Sequence, residues 1–272
     1  MGYYVKVEPE VRYYVEDLNP KGNKTILFLH GWPGSHKLFE YQFNVLPGMG
    51  YRCIGIDTRG FGNSDKPYWG YNFDRLADDV RCIVDELQLC DFTLLGHSNG
   101  GAIACRYMGR HKGYGVSRLI LVAAAAPSLI KRPNFPYGVD GKVIHQLIEG
   151  TYKDRPRMLR DFGDRFFFQG TSKAFSDWFF EIGLQAAGWA TAFMAEAWIK
   201  EVLFHDLSSI RVPTLIIQGI HDLVVPFSLA EVQNQYIKNS KLIPFDFSGH
   251  ATFYEEKDKF NEVVTCFIEG RL

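Results

Sequence analysis

Leu94-Leu95-Gly96-His97-Ser98-Asn99-Gly100-Gly101 decides the fold, because it follows the apolar run Phe92 to Leu95 and opens onto a helical pattern. It contains G-x-S-x-G in the order strand, sharp turn, helix. A serine on so tight a turn has a strained backbone, and its neighbours two residues either side must lack side chains to clear strand and helix. Gly96 and Gly100 meet that demand. The helix that starts after Ser98 turns its free N–H groups toward any anion forming there. The plainer reading is a tight βα turn with an incidental serine; the pentapeptide alone would not decide, and the strand before it and helix after it favour the nucleophile.

Outward from this turn, short and nearly continuous apolar runs recur at Thr25 to Leu29, Cys53 to Ile56, Leu119 to Ala123 and Thr214 to Gln218. Such runs suit strands of a parallel sheet buried on both faces. Asn72 to Leu87 and Ile103 to Arg110 repeat apolar positions at three and four, the helical spacing. Ahead of them, Tyr3 to Val7 and Val11 to Val15 flank Glu8-Pro9-Glu10 and read as an antiparallel hairpin. A hairpin followed by alternating strands and helices predicts an α/β fold, a mostly parallel doubly wound sheet with an antiparallel edge. The alternation breaks between Pro127 and Asp206, where aromatic residues concentrate, among them Phe162, Phe166, Phe167, Phe168, Trp178, Trp189 and Trp198. The expected division is therefore a core of residues 1–126 and 207–272 with a helical cap at 127–206.

Composition narrows the function classes. The 272 residues are 46% hydrophobic and 22% charged with a net charge of −1, as in an ordinary folded domain and without the basic excess of a nucleic-acid or anionic-membrane binder. No run approaches the roughly 20 apolar residues of a membrane span, and Met1 to Lys6 lacks the pattern of a signal peptide. Five scattered cysteines without a C-x-x-C pair fit a reducing cytoplasm, and no Cys/His spacing asks for a metal or other cofactor.

A serine hydroxyl needs a base. Eight histidines are present. His97 is adjacent to Ser98, but side chains diverge on so sharp a turn, so it reads as a supporting residue. His111, His145 and His205 fall in helical or cap segments. His250, in Phe247-Ser248-Gly249-His250-Ala251, follows the strand-like Leu242 to Phe245 and is expected to reach the sheet edge that carries Ser98. The acid should follow another strand. Ala123 to Ala126 offers no carboxylate, whereas Gly219-Ile220-His221-Asp222 offers Asp222 alone. Ser98, Asp222 and His250 then stand in the chain order known for serine nucleophiles on such turns. Asp57 and Asp65 precede Ser98 and are expected to brace the Asp57-Thr58-Arg59-Gly60 loop. His30-Gly31-Trp32-Pro33 follows the first parallel strand; Pro33 has no N–H, so the expected oxyanion donors are the backbone N–H groups of Trp32 and Asn99.

Together these residues resemble the α/β-hydrolase superfamily. Within it they look most like the cofactor-free haloperoxidase, perhydrolase and aryl-esterase branch. The resemblance runs through His30-Gly31-Trp32-Pro33, Gly50-Tyr51-Arg52, Asp57 to Asp65, Gly96 to Gly101, Arg106 to His111, Val212-Pro213-Thr214-Leu215 and Asp222 to Pro226. It implies a metal-free esterase acting on small-molecule esters, with peracid formation in several members. Where that branch commonly has Met after the nucleophile and Phe before it, this chain has Asn99 and His97, which are expected to make the site more polar. Haloalkane dehalogenases and epoxide hydrolases share the pattern but place Asp where Ser98 stands. Carbon–carbon hydrolysis of a keto acid would use the same residues and predicts a basic residue in the pocket, for which no candidate stands out. A ligand receptor with a vestigial triad is the reading from another class. The cap aromatics suit an apolar acyl pocket, packing within the cap, or the interface of a homo-oligomer.

Overall fold

The computed structural model describes residues 1–272. Its single sheet has eight strands in the order β1-β2-β4-β3-β5-β6-β7-β8. The strands are β1 (Gly2–Glu8), β2 (Val11–Leu18), β3 (Lys24–Leu29), β4 (Tyr51–Ile56), β5 (Phe92–His97), β6 (Val116–Val122), β7 (Thr214–Gly219) and β8 (Ser240–Phe245). The helices are α1 (Glu40–Phe43), α2 (Phe73–Glu86), α3 (Asn99–Arg110), α4 (Gly141–Phe166), α5 (Lys173–Leu184), α6 (Gly188–Lys200), α7 (Phe204–Ser209), α8 (Phe227–Tyr236), α9 (Thr252–Glu255) and α10 (Lys257–Ile268).

β1 and β2 form the expected hairpin, with Tyr3 opposite Val15 and Val5 opposite Tyr13. Val11, Tyr13, Val15 and Asp17 alternate inward along β2, which is the period of a half-buried strand. β2 pairs antiparallel with β4, and every ladder from β4 to β8 is parallel. β5 and β7 are buried at every position, so their unbroken apolar composition is what a doubly covered strand requires. β6 begins at Val116, ahead of its apolar run, because Ser117 and Arg118 also belong to the ladder.

The chain passes from β3 outward to β4, then returns past β3 to β5. Such a reversal leaves a crevice beyond the carboxyl ends of the strands, the usual ligand position in an open α/β sheet. Register sharpens this: Leu29 lies beside Gly96, so the residues after β3 and after β5 emerge side by side. Gly219 lies beside Phe245, which brings the loops after β7 and β8 together in the same way.

Between β6 and β7 the chain forms α4 to α7. α4 is two helices joined at Asp154, whose φ of −157° and ψ of 78° are not helical. Pro156 cannot donate within a helix; here it sits in a new first turn, which the Asp154 carboxylate caps by accepting the Arg157 N–H at 3.1 Å.

Candidate active site

Ser98 sits at φ 55° and ψ −117°, between β5 and α3. A non-glycine residue there is strained, and only surrounding bonds keep it so. Its N–H donates to Val122 O at 2.8 Å, and its carbonyl accepts from Ala125 at 3.0 Å and Ala102 at 3.1 Å. The end of β6, which offers no carboxylate, thus holds the turn by its backbone. A side chain at Gly96 would fall on the Gly100 carbonyl, and one at Gly100 on the Leu29 carbonyl. The paired glycines are needed for this close packing.

Asp222 and His250 meet as the sequence predicts. His250 Nδ1 lies 2.7 Å from Asp222 Oδ2, with both side chains fully buried. Asp222 Oδ2 also accepts from Gln218 Nε2 at 2.9 Å, and Oδ1 from the N–H groups of Val224 and Val225, each at 2.8 Å. A carboxylate accepts, so His250 Nδ1 donates and Nε2 carries the lone pair in the neutral ring. Nε2 is buried and bonded to nothing, Ser98 included. The His250 N–H donates to Phe166 O at 2.9 Å, which ties the loop to the last turn of α4.

His97 takes the supporting place. Its Nε2 lies 3.1 Å from the His250 carbonyl, and its ring packs on His250, Phe166 and Phe253. Burial first, and the neighbouring His250 second, push its pKa well below the usual histidine value. Gly31 is small because of it: a Cβ there would come within 2.5 Å of His97 Nδ1. His30 orients the adjoining peptide. Thr58 N–H donates to His30 Nε2 at 3.0 Å, so Nδ1 donates to the Gly31 carbonyl at 2.9 Å. Gly34 N–H also reaches that carbonyl, at 2.9 Å. Fixing the Gly31 carbonyl fixes the plane of the Gly31–Trp32 peptide and with it the Trp32 N–H.

Asp57 braces its loop as expected, whereas the Asp65 carboxylate is bonded to Arg12 of β2 rather than to that loop. Asp57 accepts from His36 Nδ1 at 2.8 Å and from the N–H groups of His36 and Asn63. Burial opposes its charge, but the His36 bond prevails and holds its carboxyl below the usual range. Asp65 pairs with Arg12. His111 Nε2 lies 2.9 Å from Asp78 Oδ1, His145 and His205 are exposed, and His221 stacks on Phe168 at 3.6 Å.

The polarity expected of Asn99 and His97 does not reach the cavity. The Asn99 side chain is turned to the cap, where its Oδ1 accepts from Trp198 Nε1 at 2.8 Å, and His97 is wholly enclosed. The strained turn that presents Ser98 directs both neighbours away from it. The cavity over Ser98 is walled by Trp32, Ile144, Phe162, Trp198, Val224 and other apolar side chains. Its one charged lining residue is Arg165, in the last turn of α4, which the sequence did not single out. Of the cap aromatics, Phe162 and Trp198 alone line this cavity; Trp32 meets both edge-on, at 5.0 and 5.2 Å. Phe166, Phe167, Phe175 and Phe179 instead pack on one another. A wider, polar depression between α4 and α5 shares no residue with the cavity.

Comparison with known proteins agrees with this geometry. The family model described as "alpha/beta hydrolase fold" matches residues 24–257. The chain is 46% identical to an AB hydrolase superfamily protein, YisY, of Bacillus subtilis, over 98% of this chain and 99% of that one. It is 31% identical to non-heme chloroperoxidase CPO-A1 of Kitasatospora aureofaciens, over 90% and 92%. The structure of an esterase from Exiguobacterium antarcticum superposes with a TM-score of 0.96 at 39% identity, covering 99% of this chain and all of that one. With its serine on a strand–helix turn at the switch point of a parallel sheet, the chain belongs to the α/β-hydrolase superfamily, in the branch of the cofactor-free haloperoxidases and esterases.

Proposed function

We propose that the protein is a serine esterase for small carboxylic esters. Ser98 Oγ attacks the ester carbonyl while His250 Nε2 takes its proton and returns it to the departing alcohol. Asp222 holds the imidazole tautomer and stabilises the imidazolium formed. The N–H groups of Trp32 and Asn99 receive the developing oxyanion. Water, deprotonated by His250, then cleaves the acyl-enzyme and restores Ser98. The cap, residues 127–206, covers the acyl group with apolar side chains.

One observation carries this reading: His250 Nδ1 is committed to Asp222, which leaves the Nε2 lone pair unengaged, and the strained Ser98 opens on an apolar cavity. The missing Ser98–Nε2 bond is compatible with it, since catalytic hydrogen bonds often close only around substrate. The esterase among the similar structures supports the same chemistry. A relative named as an esterase and perhydrolase supports a side reaction in which hydrogen peroxide replaces water and the acyl group leaves as a peracid.

Sustained release of p-nitrophenol from a short-chain p-nitrophenyl ester tests the proposal. Many turnovers per chain are expected, with kcat reduced at least ~1,000-fold in Ser98→Ala. Equal rates in the two proteins would sink it, and one burst without turnover would make the chain a receptor.

A further inference from the structure

We infer that Arg165 recognises an anionic group on the substrate, so that the preferred esters carry a free carboxylate beyond an apolar segment. This rests on the esterase reading and names its substrate class. Arg165 lines the cavity that contains Ser98 and also an outer depression on the cap. Val143, Leu147, Phe162 and Arg165 line both, so the two adjoin, and on this inference the depression serves as the vestibule of the cavity. A substrate seated through this opening meets apolar wall first and Ser98 at the inner end.

The charges at the opening point to an anion. Arg157 in the vestibule is already paired with Asp161 at 2.8 Å. Arg165 has no carboxylate partner, and one bond, from its terminal nitrogen to Leu223 O at 3.0 Å, is all it makes to the chain. Its remaining donors form the fork that suits a carboxylate. Of the other charges there, Lys153 is balanced by Asp154, so the excess positive charge of the opening is that of Arg165. An apolar ester with an ionised far end satisfies both parts of the site. A wholly apolar ester satisfies one.

Leu223 is next to Asp222, so Arg165 could act on catalysis through that loop alone. A ratio separates the two roles. Monomethyl adipate and methyl hexanoate differ only in a terminal carboxylate, and hydrolysis of each is followed by base uptake. The wild type is expected to show kcat/KM about 5- to 10-fold higher for monomethyl adipate, the size of one charge-assisted contact at a partly exposed site. Added salt should shrink the preference. Arg165→Gln should bring the ratio to one or below, and Arg165→Lys should restore part of it. An unchanged ratio in Arg165→Gln overturns the inference, as does an equal loss on both esters.

Binding gives the independent arm. Ser98→Ala, titrated calorimetrically, should bind monomethyl adipate more tightly than methyl hexanoate, and Ser98→Ala/Arg165→Gln should lose the difference. Failure of the wild type to hydrolyse either ester counts against the esterase reading. Equal binding of both esters by Ser98→Ala counts against Arg165.

Discussion

Ser98 owes its position to backbone bonds rather than to its own side chain, and the histidines near it owe theirs to burial. His30 and His97 are enclosed, and burial is the first cause of the lowered pKa of each. The sign of the pH effect follows. Below the ordinary histidine value of about 6.5 the unfolded chain binds protons on these rings while the folded chain does not. Acid therefore favours unfolding: stability is full above that value and declines as pH falls through it. The slope approaches about 1.4 kcal/mol per pH unit for each ring and ends where the folded pKa is reached. His97→Phe removes one of the two contributions. Urea midpoints at pH 7.5 and 5.5 should therefore differ less in His97→Phe than in the wild type; an identical difference would show that His97 is protonated in the folded state. Residue-level signals were the most legible in the sequence. Gly96 and Gly100 announce the turn around Ser98 because close packing leaves no room for a side chain at either. The polarity of Asn99 and His97 misleads, because residue type does not reveal which way a side chain leaves a strained turn.

At the scale of elements, the loop of His250 is bound to the cap as firmly as to the sheet. Glu255, in α9, accepts from the N–H groups of Phe168 and Gln169, each at 2.7 Å, and from Gly249 at 2.8 Å. It joins the exit of α4 to the residue before His250. Burial raises its pKa, against the pull of these three bonds. Glu255→Gln would set an amide donor against backbone donors and leave at least one N–H unpaired. A loss of about 1–3 kcal/mol in denaturant unfolding is expected, with a fall in kcat on any ester; full stability and full activity would show the junction to be dispensable. None of this is legible in sequence, because Glu255 and Phe168 are brought together only by the placement of α4. The strands were legible wherever both faces are covered, as in β5 and β7. The start of β6, with Ser117 and Arg118, lacks the unbroken apolar run that marks a buried strand.

Over the whole molecule, the esterase reading gives the chemistry to the loops at the sheet's edge and the selection of substrate to the helices between β6 and β7. Register sets the loop after β3 beside that after β5 and the loop after β7 beside that after β8, and the contact of His97 with the His250 carbonyl joins the two pairs. The cap is legible as a break in the alternation, but its cavity is not. The break at Asp154 and the placement of α6 go with Phe162 and Trp198 lining the cavity over Ser98 and Arg165 standing at its rim, while most of the aromatics face each other. The account as a whole stands on Ser98 being activated within this frame. Reaction with a fluorophosphonate, read by intact-protein mass and then by peptide mapping, tests that directly. The account predicts one phosphonyl group per chain, attached to Ser98 Oγ with loss of fluoride, and none on Ser98→Ala. Labelling at another residue, or equal labelling of Ser98→Ala, would contradict it.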